Sequence, residues 1–543
     1  SDGTLVASNV EALGSGDVTD NATLELNTGG TFDNAISGSG KVEKSGDDAL
    51  TLSGANTYTG GTLISDGTLV ASNVEALGTG DVTDNAVLEL NTGGDFDNAI
   101  SGSGQVEKSG DGTLTLSGSN TYTGGTTIND GTLIATSVDA LGSGDVTDNA
   151  TLALNTGGTF DNAISGSGQV VKSGDDVLTL SGANSYSGGT LISDGTLVAS
   201  NVEALGSGDV TNDAVLELNT GGTFDNTISG SGRVVKSGDG ALTLSGANSY
   251  SGGTLISDGT LIAGRVDVLG SGDVTDNATL ELNTGGTFDN AISGSGQVVK
   301  SGDDVLTLSG ANSYSGGTLI SDGTLVASNV EALGTGDVTD NATLEMNTGG
   351  DFINNIGGTG RVEKSGDDAL TLSGSNTYTG GTTINDGTLI ATSVDALGSG
   401  DVTNNAVLEL NTGGDFINNI GGTGRVEKSG DETLTLSGSN TYTGGTLISG
   451  GTLVATNVEA LGTGDVTDNA VLELNTGGDF INNIGGTGRV EKSGDDTLTL
   501  SGSNSYTGGT LISSGTLVAT NVDALGSGDV TDNATLELNT GGT

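Results

Sequence analysis

Carboxylates are the reactive side chains that this sequence supplies in quantity. Asp and Glu number 69 against 14 Lys and Arg, for a formal charge of −55, and the 543 residues include no histidine and no cysteine. Imidazole general-base chemistry, thiol nucleophiles and the usual zinc ligand sets are thereby excluded. Carboxylates can still gather a divalent cation or work as an acid–base pair. The candidates for calcium are Asp17 with Asp20 and Asp47 with Asp48. They are weak ones, because calcium solenoids repeat Gly-Gly-x-Gly-x-Asp in tandem about every nine residues. The nearest match here, Gly14-Ser15-Gly16-Asp17, comes once in 64. No cofactor is expected, with calcium the exception to test. Paired carboxylates also hydrolyse glycosides, but catalysis needs one unique constellation. The copies described below differ only by small swaps, such as Glu25 to Ala153 or Leu26 to Met346. The chain reads as non-enzymatic. Gly38-Ser39-Gly40-Lys41 imitates a phosphate loop, yet Val42 stands where Ser or Thr would hold magnesium. Gln105 and Gln169 replace the lysine in later copies.

Two other side chains recur at a fixed interval. Lys44, Lys108 and Lys172 open a column of eight lysines, and Tyr58, Tyr122 and Tyr186 open a column of eight tyrosines. An exposed tyrosine row could stack on sugar rings, and a lysine stripe could meet the acidic face of a second copy. Against these stand plainer readings: tyrosine as core or turn packing, and the charges as a solvated face that keeps a long β-structure soluble. The acidic balance argues against nucleic acid, whose affinity comes from Lys and Arg neutralising phosphates. No apolar run approaches the roughly 18 residues of a membrane span.

The elements that would position these residues follow from a repeat. Ser1-Asp2-Gly3-Thr4-Leu5 returns with copies beginning at 65, 129, 193, 257, 321, 385 and 449, and a partial ninth begins at 513. The period is 64 without insertion or deletion, so residues 1–543 read as one continuous domain and as a segment of a longer protein. Within the unit, Leu24-Glu25-Leu26 and Leu50-Thr51-Leu52 alternate like half-buried strands. Gly29-Gly30, Gly60-Gly61 and Ser45-Gly46-Asp47-Asp48 mark turns. Leucines at 5, 24, 50 and 69, and a second series at Val18, Val42, Leu63 and Val82, each give three subunits of about 21 residues per period. Short strands at such a spacing describe an all-β, parallel β-solenoid of about three coils per period. About 25 coils at roughly 4.8 Å each make a rod near 120 Å long, with equivalent lysines in one stripe about 14 Å apart. Phe32, Asn27 and Asn56 are expected to serve the core and the turns.

The segment Gly40-Lys41-Val42-Glu43-Lys44-Ser45-Gly46, continued by Leu50-Thr51-Leu52-Ser53-Gly54-Ala55-Asn56-Thr57-Tyr58-Thr59-Gly60-Gly61-Thr62 and Ile64-Ser65-Asp66-Gly67-Thr68-Leu69, resembles the autotransporter-associated β-strand repeat. The resemblance covers about half of each unit and recurs in every copy. It implies a right-handed parallel β-helix passenger, exported across a Gram-negative outer membrane and displayed or shed outside. A signal peptide and a membrane barrel would belong to parts beyond this segment, the only route to a membrane. The function it points to is a rod-like surface fibre or stalk, self-assembling with copies of itself in a matrix or biofilm. The alternative is a multivalent adhesin that binds glycans or host surfaces.

Overall fold

The computed structural model describes residues 3–541, which contain strands and turns and no helix. Two compact units, Ser1–Thr275 and Asp276–Thr543, each form a parallel β-solenoid. Every strand pair recorded in them is parallel, as when Thr4–Ala7 pairs with Thr23–Asn27 and the latter with Lys41–Ser45. The sequence-level expectation of an all-β parallel solenoid therefore holds.

The local cause is alternation. In Thr23–Asn27 the leucines point inward and Glu25 outward, and in Leu50–Leu52 the two leucines are buried around Thr51. Stacking carries these choices from coil to coil. One inward column of the first unit runs Phe32, Leu52, Ala71, Leu90, and another runs Leu50, Leu69, Leu88, Val106. Neither column could be dry in a single coil. Stacking neighbours buries them continuously.

One coil has three sides. Between residues 94 and 116 the chain visits Gly94–Phe96, Ile100–Ser101 and Gln105–Ser109 before Thr113–Leu116 lands beside Gly94–Phe96. Each side takes about six residues, and a 64-residue period supplies ten sides. Eight of these are strands, and the other two are the turn at residues 9–13 and the stretch Asn56 to Tyr58. Ten is one more than a multiple of three, so residues 64 apart do not stack. Leu5 stands over Leu24, Val42 and Thr62, whereas its equivalent Leu69 stands between Leu50 and Leu88 on the next side.

The Leu5 ladder can be followed further. It passes Val82 and Ile100, then Thr121 N bound to Ile100 O, Ser143 N bound to Tyr122 O, and Asn162 Nδ2 bound to Gly142 O. It resumes in Gly158–Phe160, Val177–Leu180 and Thr196–Ala199. About ten coils thus take up the three periods from Leu5 to Leu197, which is about 19 residues per coil and about three and a third coils per period. The expected three coils of about 21 residues fall short because the leucine series counted one anchor per coil. The step from Leu24 to Leu50 changes side. Leu63 of the second series also faces outward, with Thr62 and Ile64 the buried pair of that strand.

Asparagines tie the strandless side to its neighbours. Asn56 Oδ1 accepts from Ile36 N at 2.7 Å while Nδ2 donates to Ala76 O at 2.6 Å, and Asn120, Asn184 and Asn248 repeat the bridge. One residue thus satisfies a donor in the coil before and an acceptor in the coil after. The side-chain bridges thus add to the few backbone bonds that this side makes between coils, such as Thr57 N to Ile36 O.

Candidate functional surface

The tyrosines are inside. Tyr58, Tyr122 and Tyr186 are fully buried, as are their five later equivalents. Tyr58 stands among polar turn residues, where the sequence leaves an exposed row for stacking on sugars open beside the plainer reading of core or turn packing. The structure bears out the packing reading and overturns the exposed row. The ring fills the coil interior on the strandless side, and the backbone of Gly78 lies against it: a Cβ on Gly78 would come within 3.0 Å of the ring. The phenol of Tyr122 shares a hydrogen bond of 2.6 Å with Thr126 Oγ1. Burial pushes it well above the usual range, with the bond to Thr126 acting the other way. Replacing Tyr122 with phenylalanine is expected to lower stability by about 1 kcal/mol, since Thr126 keeps Leu141 O as a partner at 3.4 Å. Calorimetry checks this, and a loss above about 3 kcal/mol would give the hydroxyl a larger role.

The lysines are inside as well. Lys44, Lys108 and Lys172 are fully buried and share the inward register of leucine and isoleucine, with Lys44 between Leu26 and Ile64. Lys108 Nζ donates to the carbonyl oxygens of Ser109 at 2.8 Å, Gly110 at 2.5 Å and Asp130 at 3.2 Å. All three ammonium protons are therefore used on a coil corner. Burial lowers the pKa of Lys44 from its ordinary value, and the charges of Asp66, Asp48 and Asp47 oppose the drop. The expected cationic stripe for contact between copies does not exist. Equivalents turn by one side per period, and their charge is spent on backbone carbonyls.

The calcium candidates are not gathered. Asp17, Asp47 and Asp48 are exposed and Asp20 is half-buried. Asp47 and Asp48 lie in the field of the Lys44 ammonium. Among the described residues no group of three or more acidic side chains is placed to hold a metal ion.

What faces outward is polar and anionic. One outward column of the first unit runs Thr31, Thr51, Val70, Glu89, Glu107, Thr127, Thr147. Glu89 and Glu107 occupy successive rungs, and Ser109 Oγ donates to Glu89 Oε1 at 2.5 Å. With eight of the 14 basic residues withdrawn into the lysine column, few cations remain outside to offset the acids. The recorded ion pairs, such as Arg425–Glu427 at 3.0 Å, sit on the surface and contribute little.

The recurring concavity is a notch at the Gly-Gly turn. In the fourth period it measures about 480 Å³, floored by Gly252 and Gly253 and walled by Arg233, Asp273 and Thr275. In the second period a notch of about 450 Å³ has Gly124 and Gly125 as floor, with Gln105, Asp145 and Thr147 as walls. Sequence reading passed over it because its walls come from different coils. The spacing of Arg233 and Asp273, 40 residues, is two coils and was the available signal.

Comparison with known proteins agrees with this architecture. A family model described as passenger-associated-transport repeat matches residues 42–71, 106–135, 170–199, 234–263, 298–327, 362–391, 426–455 and 490–519. The adhesin BmaC autotransporter of Brucella suis biovar 1 (strain 1330) is 32% identical across 86% of this chain, which spans 14% of that protein. The uncharacterized lipoprotein YdeK of Escherichia coli (strain K12) is 31% identical across 40% of this chain and 16% of its own length. The chain thus spans well under a fifth of either relative. No solved structure gives a significant match. Each matched segment begins at the inward valine of the lysine strand and ends at the alanine of the next Thr-Leu strand, as Val42 and Ala71 do in the first. This chain thus carries eight copies of the passenger-associated-transport repeat, one in each full 64-residue period.

Proposed function

We propose that this chain is the non-catalytic stalk of an autotransporter passenger, displayed outside a Gram-negative cell. Its work is geometric: continuous backbone pairing gives stiffness, and repeat number sets length. The observation that carries this reading is the burial of both recurring reactive columns. With Tyr58, Lys44 and their equivalents inside, the outward ladders are Thr, Ser, Val and Glu, whose like charges keep neighbouring stalks apart. A second reading, a multivalent adhesin for neutral glycans, is favoured by the notch of Arg233 and Asp273. Its polar walls suit sugar hydroxyls, and weak sites repeated along the stack would add avidity.

Retention on polysaccharide resins separates the two. The stalk reading expects the purified chain to flow through, unchanged by Arg233→Ala with Asp273→Ala. Retention that this double substitution weakens would replace it with the adhesin reading.

A further inference from the structure

An acid recurs in the interior. Asp84, Asp148, Asp276, Asp340 and Asp468 occupy one position in five periods, each fully buried at the inner end of a short strand. In Asp84, Oδ1 accepts from Ala86 N at 3.0 Å, and Oδ2 has no hydrogen-bond partner. The same orphaned oxygen occurs in the other four. Two periods carry asparagine instead. Asn212 and Asn404 keep the first contact, with Ala214 N at 3.2 Å and Ala406 N at 3.1 Å. Their Nδ2 atoms donate to the carbonyl oxygens of Arg233 at 3.0 Å and Arg425 at 2.9 Å. The next coil therefore offers an acceptor to this position, and an ionised carboxylate has no proton to give it. A neutral carboxylic acid has one.

We propose that these aspartates are neutral carboxylic acids in the folded solenoid, and that the array is a pH-responsive stalk, most stable in mild acid and loosened as the column ionises. The groups around them fit. Facing Asp84 are the uncharged Ile64 in the coil before and Gly104 in the coil after, and Tyr122, two coils on, is neutral and bound to Thr126. Tyr186, Tyr314, Tyr378 and Tyr506 stand likewise toward the other four aspartates. Lys44 shares the inward column two rungs away, behind Ile64, with its ammonium bound to carbonyls. Asp340 alone also feels Arg361. Burial pushes each acid up to about 6 from the ordinary 3.8, partly held back by amides such as those of Ala86 and Leu88 for Asp84. The folded pKa lies above the unfolded one. Protonation thus favours the folded state fully below about 4, and that advantage is lost as the pH rises through about 6.

The test is thermal unfolding from pH 4.5 to 8 of the native chain and of the fivefold variant Asp84→Asn, Asp148→Asn, Asp276→Asn, Asp340→Asn, Asp468→Asn. Asparagine already serves at two of these positions, so the variant should fold. The native melting temperature is expected to fall with rising pH. The variant should lose more than half of that slope and melt higher at pH 7.5. General charge repulsion would leave the slope unchanged in the variant, and that outcome overturns the proposal. Infrared spectra of the native chain at pH 5, labelled at aspartate, should contain a carboxylic-acid carbonyl band that the variant lacks. A spectrum with no such difference also overturns it.

Discussion

Valine at Gly102 is expected to break the coil stack around it, at a cost of at least about 3 kcal/mol. Gly102 has φ 112°, where an L side chain is strained, and a Cβ built on it falls 2.0 Å from the carbonyl oxygen of Asp84 and 2.7 Å from the carbonyl carbon. That oxygen accepts from Gly104 N at 2.8 Å, so it cannot retreat without giving up a bond between coils. Strain and displacement act on the same rung. Because each coil touches only its neighbours, the damage should be local. Limited proteolysis should cut near residue 102, and amide exchange should quicken there and remain slow several coils away. Gly264→Ser is the control: nothing lies within 4 Å of a Cβ there, and its effect should stay within about 0.5 kcal/mol. Equal protection in the two variants would mean that the close approach at Gly102 carries no energetic weight.

Methionine at Lys108 should be nearly as damaging. The substitution keeps the stem that packs between Leu90 and Ile128 but removes the ammonium. The carbonyls of Ser109, Gly110 and Asp130 would each lose a charged donor at a part-buried corner. Hydrogen bonds to charged groups are worth about 1.5 to 3 kcal/mol each and are not additive, so a loss of roughly 3 to 5 kcal/mol is expected. Denaturant unfolding measures it. Lys41→Met, at a partly exposed position, should be near neutral. A stability gain for Lys108→Met would mean that desolvation of the ammonium outweighs its three bonds.

Much of this fold was legible in the residues. The 64-residue period, the Leu-x-Leu strands and the structural asparagines follow from alternation and turn chemistry, and the structure has all three. The coil length was not. Two of the ten sides are built by Asn56 to Tyr58 and by the turn at 9–13, where no alternating apolar residues announce a side. Lys44 was readable in retrospect. In Val42-Glu43-Lys44 it shares a strand face with Val42, and residue type misled where register did not. For Tyr58 register was silent, because that side is no strand. Asp20, with Asp17, reads from the sequence as a weak calcium candidate, whereas its equivalents Asp84 and Asp148 are interior acids. Only stacking could place them.

The extra side in each period also bears on how such a gene can change. Copying errors add or remove whole 64-residue units without disturbing the register of any strand. Within one compact unit each such event does two things at once, adding about 16 Å of stacked coils and moving every later residue of that unit on by one of the three sides. Three additions restore the original bearing, and one or two do not. Within a compact unit, repeat number is therefore a dial as well as a ruler, setting the side of the coil on which each later copy presents a given residue.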